Sequence, residues 1–184
     1  MYLLDVEALD LGSDVRAVGL ELVEADENRE PVRGEDAARI WSRILPAVAG
    51  DERWALDFFS HLDRVRDYLQ QHDIDFREAG QHFIAVPAPK PKVLEALLAR
   101  FQDETFGVRA GALLSTGDSA LEGELARRGA DAYDKAFPNY YFCAICAFED
   151  GSLVLLSDHL RSSDVIRKVR PALEGLDVKT QLPS

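Results

Sequence analysis

Three groups of side chains in this 184-residue sequence could do chemistry. Asp5 and Glu7 stand two apart in the run Tyr2 to Leu9, which reads as a β-strand. Side chains alternate along a strand, so both carboxylates are expected to point the same way. Two such groups can hold Mg²⁺ or Mn²⁺, the geometry used by two-metal phosphodiesterases. The second group is Cys143 and Cys146, a C-x-x-C inside the apolar run Tyr140 to Phe148. A reactive pair needs a helix N-terminus or loop whose N–H groups stabilise a thiolate. Here Glu149-Asp150-Gly151 follows and the chain resumes at Ser152 to Ser157, which reads as a hairpin with an Asp-Gly turn. Strand residues three apart take opposite faces. The two thiols are therefore expected to be buried and inert, unable to pair or to share a metal. The third group is aromatic: Tyr133, Phe137, Tyr140 and Tyr141 crowd around Pro138. Such clusters usually lid a hydrophobic core, but they are also enriched at interface centres, so this is the first place to expect a partner.

The string Leu4 to Leu9, with a second strand after it, resembles the first motif of DEDD-type exonucleases. That resemblance implies a further aspartate on a later helix and a closing His-x₄-Asp. Asp57 matches the former, and His159 with Asp164 matches the latter. It would make Asp5, Glu7, Asp57 and Asp164 the ligands of two Mg²⁺ or Mn²⁺ ions, with His159 as the general base that activates water. The chain departs from the pattern at Ala8, Leu9 and Asp10, where a Thr and a Gly ordinarily follow the first acidic pair. The His-Asn type of run before the helix aspartate is also absent ahead of Asp57. With 33 carboxylates in the chain, spacings of this kind arise often without function.

Other chemistries find little footing. There is no G-x-G-x-x-G, no G-x₄-G-K-[ST] and no G-x-S-x-G, so dinucleotide, P-loop and nucleophile-elbow sites are not expected. His61, His72 and His82 share no ligand spacing. The two cysteines are two ligands short of four-coordinate zinc.

The net charge of −12 argues against nucleic acid, which needs clustered Lys and Arg. It suits solubility and steering towards a basic surface. No apolar stretch approaches a membrane span, and the first residues carry carboxylates where a secretory signal carries Lys or Arg. With cysteines that should not meet, the expected compartment is the reducing cytoplasm.

The elements that must position these groups follow one local plan, an apolar hairpin and then an amphipathic helix. Tyr2–Leu9 and Val15–Ala25 make the first hairpin, and Ala37, Ile40, Trp41, Ile44 and Leu45 mark a helix over about 35–48. A mixed-charge loop over 26–34 separates them. Trp54, Phe58, Leu62, Val65 and Leu69 predict one long helix from about Asp51 to Gln71. A second hairpin spans Ile74 to Val86, with Pro91 as the first residue of the helix after it. Phe106–Leu114 is expected to return beside that hairpin. Short helical segments follow over 120–129 and 131–138. The third hairpin runs from Tyr140 to Asp158. A helix is expected from near Ser162 to Glu174, with Ser163 as its N-cap. A last strand covers Val178–Leu182. Two β-β-α-β-like units result, and the runs at 140–148 and 153–156, apolar on both faces, should be central strands.

The fold class is α+β: an antiparallel or mixed sheet with helices packed on it. One domain over 1–184 is expected, with a subdomain division conceivable near 71–74. The leading functional reading is a non-enzymatic acidic interaction or regulatory module, of the inhibitor, immunity or adaptor kind, that needs no cofactor and binds a protein partner with a basic surface. A metal-dependent nuclease using the carboxylate set above is the second reading. A small-molecule-binding module is the third, and an exposed hairpin edge would allow a homodimer.

Overall fold

Alternation at the N-terminus decides the first ladder. The computed structural model describes residues 1–9, 17–49, 54–57, 62–79, 83–87, 89–101, 107–110, 142–147, 151–156 and 161–182. In it β1 (Tyr2–Leu9) and β2 (Ala17–Glu24) pair antiparallel, with Leu4 opposite Leu22 and Val6 opposite Leu20. Those four side chains are fully buried. The residues between them, Asp5 opposite Glu21 and Glu7 opposite Gly19, take the other face. After the loop at 25–33 comes α1 (Gly34–Ala49), whose stripe of Ala37, Ile40, Trp41, Ile44, Leu45 and Val48 is buried. Glu35 and Asp36 occupy its first turn, where the helix dipole favours negative charge. Asp36 also accepts a 2.8 Å hydrogen bond from the Tyr2 hydroxyl and an ion pair from Arg39, tying the helix start to the first strand.

The remaining elements are β3 (Trp54–Asp57), α2 (Leu62–Gln71), β4 (Arg77–Ala79), β5 (Phe83–Val86), α3 (Pro91–Phe101), β6 (Gly107–Ala110), β7 (Phe142–Ala147), β8 (Ser152–Leu156), α4 (Ser162–Ala172) and β9 (Val178–Gln181). Among the described residues the architecture is α+β: four helices and one open, mixed sheet in the order β4-β5-β3-β6-β7-β8-β2-β1-β9. Every neighbouring pair is antiparallel except β1 and β9, which run parallel. The helices' apolar stripes share one buried cluster with the inward residues of β1, β2, β5 and β8. Arg66 joins α2 to β4, donating to Asp63 at 2.6 Å and to Glu78 at 2.7 Å.

Four expectations are corrected. The single helix from Asp51 to Gln71 does not form: Trp54–Asp57 is strand β3, bonded to β5 on one edge and β6 on the other. Three apolar residues before an aspartate fit either period, and two available strand edges decide it. The predicted helical phase is seen in α2 over Leu62–Gln71, with Val65 and Leu69 buried. Strand β6 does not lie against the β4–β5 pair, because β3 stands between them. Nor does β9 sit beside β7 and β8; it closes the far edge on β1. Ser163 is not a cap, since α4 starts one residue earlier and the extended Arg161 precedes it with no side-chain cap.

The two doubly apolar runs are central: among the described strands β7 stands fifth of nine and β8 sixth. The helical segments expected over 120–129 and 131–138 lie outside the described residues.

Candidate binding site on the outer face of the sheet

The face of the sheet that carries Leu4, Val6, Leu20 and Leu22 packs under the helices. Alternation therefore puts their neighbours on the opposite face. In register, Gln181, Asp5, Glu21 and Ser152 form a row across β9, β1, β2 and β8. At about 4.8 Å per strand this row is about 14 Å long. The next row is Glu7, Gly19 and Val154. Together they line an open pocket of about 460 Å³, flanked by Leu9 and Leu182. A Cβ on Gly19 would lie only 3.1 to 3.3 Å from the Leu9 side chain, so glycine is what lets Leu9 lie down on the pocket floor.

Arg29 enters this pocket from the side. Asp26 Oδ1 accepts the backbone N–H groups of Asn28 and Arg29, each at 3.0 Å, and holds a tight turn. Arg29 itself has φ of 51°, in the left-handed region that few non-glycine residues adopt. Residues 30–32 then run back along β2: Glu24 N–H donates to Glu30 O, Val32 N–H donates to Leu22 O, and Val23 bridges Pro31. The other edge of β2 at this level belongs to β1, so the returning segment lies on the β8 side. The Arg29 guanidinium accordingly crosses over β2 to form an ion pair with Asp5 Oδ2 on β1.

That contact engages half of the carboxylate. Asp5 Oδ1 is buried and has no hydrogen-bond partner among the described residues. Glu7 and Glu21 are exposed and make no hydrogen bond or ion pair among the described residues. Three carboxylates facing one guanidinium leave the pocket negative. The arrangement suits an ammonium or guanidinium head on the carboxylates and an aliphatic stem on Leu9 and Val154.

The sequence-derived candidates are spread across the fold. Asp5 and Glu7 share a face, as their spacing predicts. Asp57 sits on β3, five strand positions from β1, about 24 Å along the sheet. Asp164 lies in the first turn of α4 and pairs with Arg167 at 2.8 Å. Helix α4 packs on the core face through Val165, Ile166 and Val169, so the sheet stands between it and the outward-facing Asp5. His159 and the aromatic set Tyr133, Phe137, Tyr140 and Tyr141 lie outside the described residues. Cys143 and Cys146 are both within β7, opposite Leu156 and Leu153, and neither begins a helix. Among the described residues no three His, Cys, Asp or Glu side chains gather closely enough to hold a metal ion.

Sequence reasoning missed Glu21, Arg29, Ser152 and Gln181. Glu21 was legible as the polar break in an otherwise apolar strand; the others depend on strand order. Comparison of the chain with protein families, curated proteins and solved structures finds no match. No helix of the described residues is long and apolar enough to cross a membrane.

Proposed function

We propose that this protein is a non-enzymatic interaction module whose outer sheet face receives a basic surface of a protein partner. What carries the reading is the pocket over β9, β1, β2 and β8: Asp5, Glu7 and Glu21 beside the apolar Leu9, Val154 and Leu182. Nothing in that row is a nucleophile paired with a base, whereas carboxylates next to apolar surface match the two ends of an arginine or lysine side chain. The net charge of −12 would steer such a partner in. Tyr133, Phe137, Tyr140 and Tyr141 are proposed, from sequence alone, as a second contact. A cytoplasmic, single-domain protein agrees with this reading, and one core cluster beneath one sheet supports the single domain. The order of consecutive strand pair and then helix, seen at β1–β2, β4–β5 and β7–β8, supports the threefold plan of a hairpin followed by a helix.

The test is calorimetric titration with a hexa-arginine peptide at low salt, on wild type and on Asp5→Asn/Glu7→Gln/Glu21→Gln. Wild type should bind with strong salt dependence, and the triple variant should lose about tenfold. Equal affinity for both would sink the reading.

A divalent cation is the second occupant, favoured by the unpartnered Asp5 Oδ1 beside Glu7. It would leave Asp5 and Glu7 as ligands for Mg²⁺ or Mn²⁺ in a phosphodiesterase-like role. Thermal unfolding with and without 1 mM Mn²⁺ separates it. A Kd a hundredfold below the metal concentration adds about 2.7 kcal/mol to wild type and nothing to Asp5→Asn/Glu7→Gln.

A further inference from the structure

The following rests on the cation-binding face proposed above and concerns its regulation. We infer that Arg29 is an internal occupant of that site, an autoinhibitory contact that a partner's cationic side chain displaces. The residue belongs to a loop held by its own bonds: the Asp26 turn, the Glu24–Glu30 and Val32–Leu22 backbone pairs, and the Val23–Pro31 bridge. None of these involves the Arg29 side chain, so the guanidinium can swing out while the loop stays folded. Its engagement is also incomplete. One nitrogen, Nη2, meets one oxygen, Asp5 Oδ2, while Oδ1 stays buried and unpaired. A guanidinium satisfies a carboxylate best when two N–H groups meet two oxygens. Arg29, reaching across β2 from the side, does not do so. With Arg29 swung out, a side chain arriving along the open pocket could pair with the Asp5 carboxylate and lie against Glu7 or Glu21 as well.

The plug is also weakly held. The Arg29 side chain is 42% exposed and that of Asp5 20%. Solvent-screened pairs of this kind favour contact by no more than about fivefold. Arg29 thus neutralises one of three carboxylates until a better-placed cation competes, which raises the threshold for non-specific polycations.

The experiment titrates hexa-arginine, by calorimetry at low salt, into wild type, Arg29→Asn and Arg43→Ala. Asparagine tolerates the left-handed backbone at position 29, so the loop should keep its shape. Arg43 is exposed on α1, on the helix side of the sheet, and removes the same unit of charge without touching the pocket. Arg29→Asn should bind about fivefold tighter than wild type, and Arg43→Ala less than twofold tighter. Unchanged far-ultraviolet circular dichroism and melting midpoints check the fold. If Arg29→Asn gains no more than Arg43→Ala, or binds more weakly than wild type, Arg29 is not a plug even though the face binds cations. If hexa-arginine binds none of the three, the face itself is misread and the plug falls with it.

Discussion

Gly151, the turn residue just before β8, is the position where one methyl group should cost most. Its φ of +64° lies in the left-handed region, where an alanine pays about 1 to 2 kcal/mol. Its carbonyl accepts the Leu22 N–H at 2.7 Å, and the Leu22 carbonyl in turn accepts the Val32 N–H at 3.0 Å. A Cβ on Gly151 would stand 2.6 Å from the Leu22 carbonyl oxygen and 3.1 Å from Pro31 Cβ. The oxygen belongs to the backbone and cannot rotate away, so β8 must move from β2. Overpacking of this sort costs about 1 to 3 kcal/mol. Gly151→Ala should therefore lose about 2 to 5 kcal/mol. Gly175 supplies the comparison: φ is +83°, but nothing lies within 4 Å of its added Cβ. Gly175→Ala should lose only the conformational part, about 1 to 2 kcal/mol. Urea unfolding followed by tryptophan fluorescence gives both values from the shift in midpoint at constant m. For a chain of this length the difference should also appear as several degrees in Tm. Equal losses for the two variants would refute the close approach of β8 to β2, and with it the wall of the pocket that Ser152 lines.

Other consequences are equally direct. The phenol of Tyr2 donates to Asp36, and that hydrogen bond, with burial and nearby carboxylates, raises its pKa above 10.0. The neutral phenol is thus favoured by folding, so its contribution is complete below pH 10 and fades as pH rises through the raised value. Tyr2→Phe should cost about 0.5 to 1.5 kcal/mol at pH 8, and its urea midpoint should converge on that of wild type above pH 10; a constant gap would contradict this. Trp41 is fully buried with an indole N–H that has no partner among the described residues. Trp41→Phe removes that unsatisfied donor and offsets part of the lost volume, so it should fall within about 1.5 kcal/mol of wild type, against about 3 to 5 for Trp41→Ala. Similar losses for the two would show that the indole N–H carries no penalty. Gly19→Ala should cost about 1 kcal/mol by pressing on Leu9, and the double variant with Leu9→Ala should recover most of that press. Strict additivity in that cycle would place Leu9 away from Gly19.

Local pattern was a sound guide wherever one element could be read against its own period. The alternation of Val18 to Val23 marked β2 beside the run Tyr2–Leu9, the stripe from Ala37 to Leu45 marked α1, and Pro91 opened α3. It failed at Trp54–Asp57, whose spacing to Phe58 and Leu62 imitates a helix. No property of those four residues announces that β5 and β6 offer them two edges. It also failed at Ser163, a good cap residue in the wrong register of a helix that begins at Ser162.

The carboxylate pair shows the same division within a candidate site. That Asp5 and Glu7 share a face follows from sequence, because the alternation of a strand is local geometry. That Glu21 and Gln181 join them follows from pairing β1 with β2 on one side and, in parallel, with β9 on the other. Parallel pairing of the two ends of the chain has no local signal. Arg29 is the plainest case: in sequence it is one of five charges in the loop between Asp26 and Gly34. Its guanidinium meets Asp5 only because an Asp26 turn folds the loop back along β2 and aims the side chain across it. The sequence by itself determined the α+β class, the acidic character and the shared face of Asp5 and Glu7, since these depend on composition and on periods of a few residues. Strand order, the identity of the pocket and the cation already lying in it were decided by contacts far apart in the chain, which only the tertiary structure brings together.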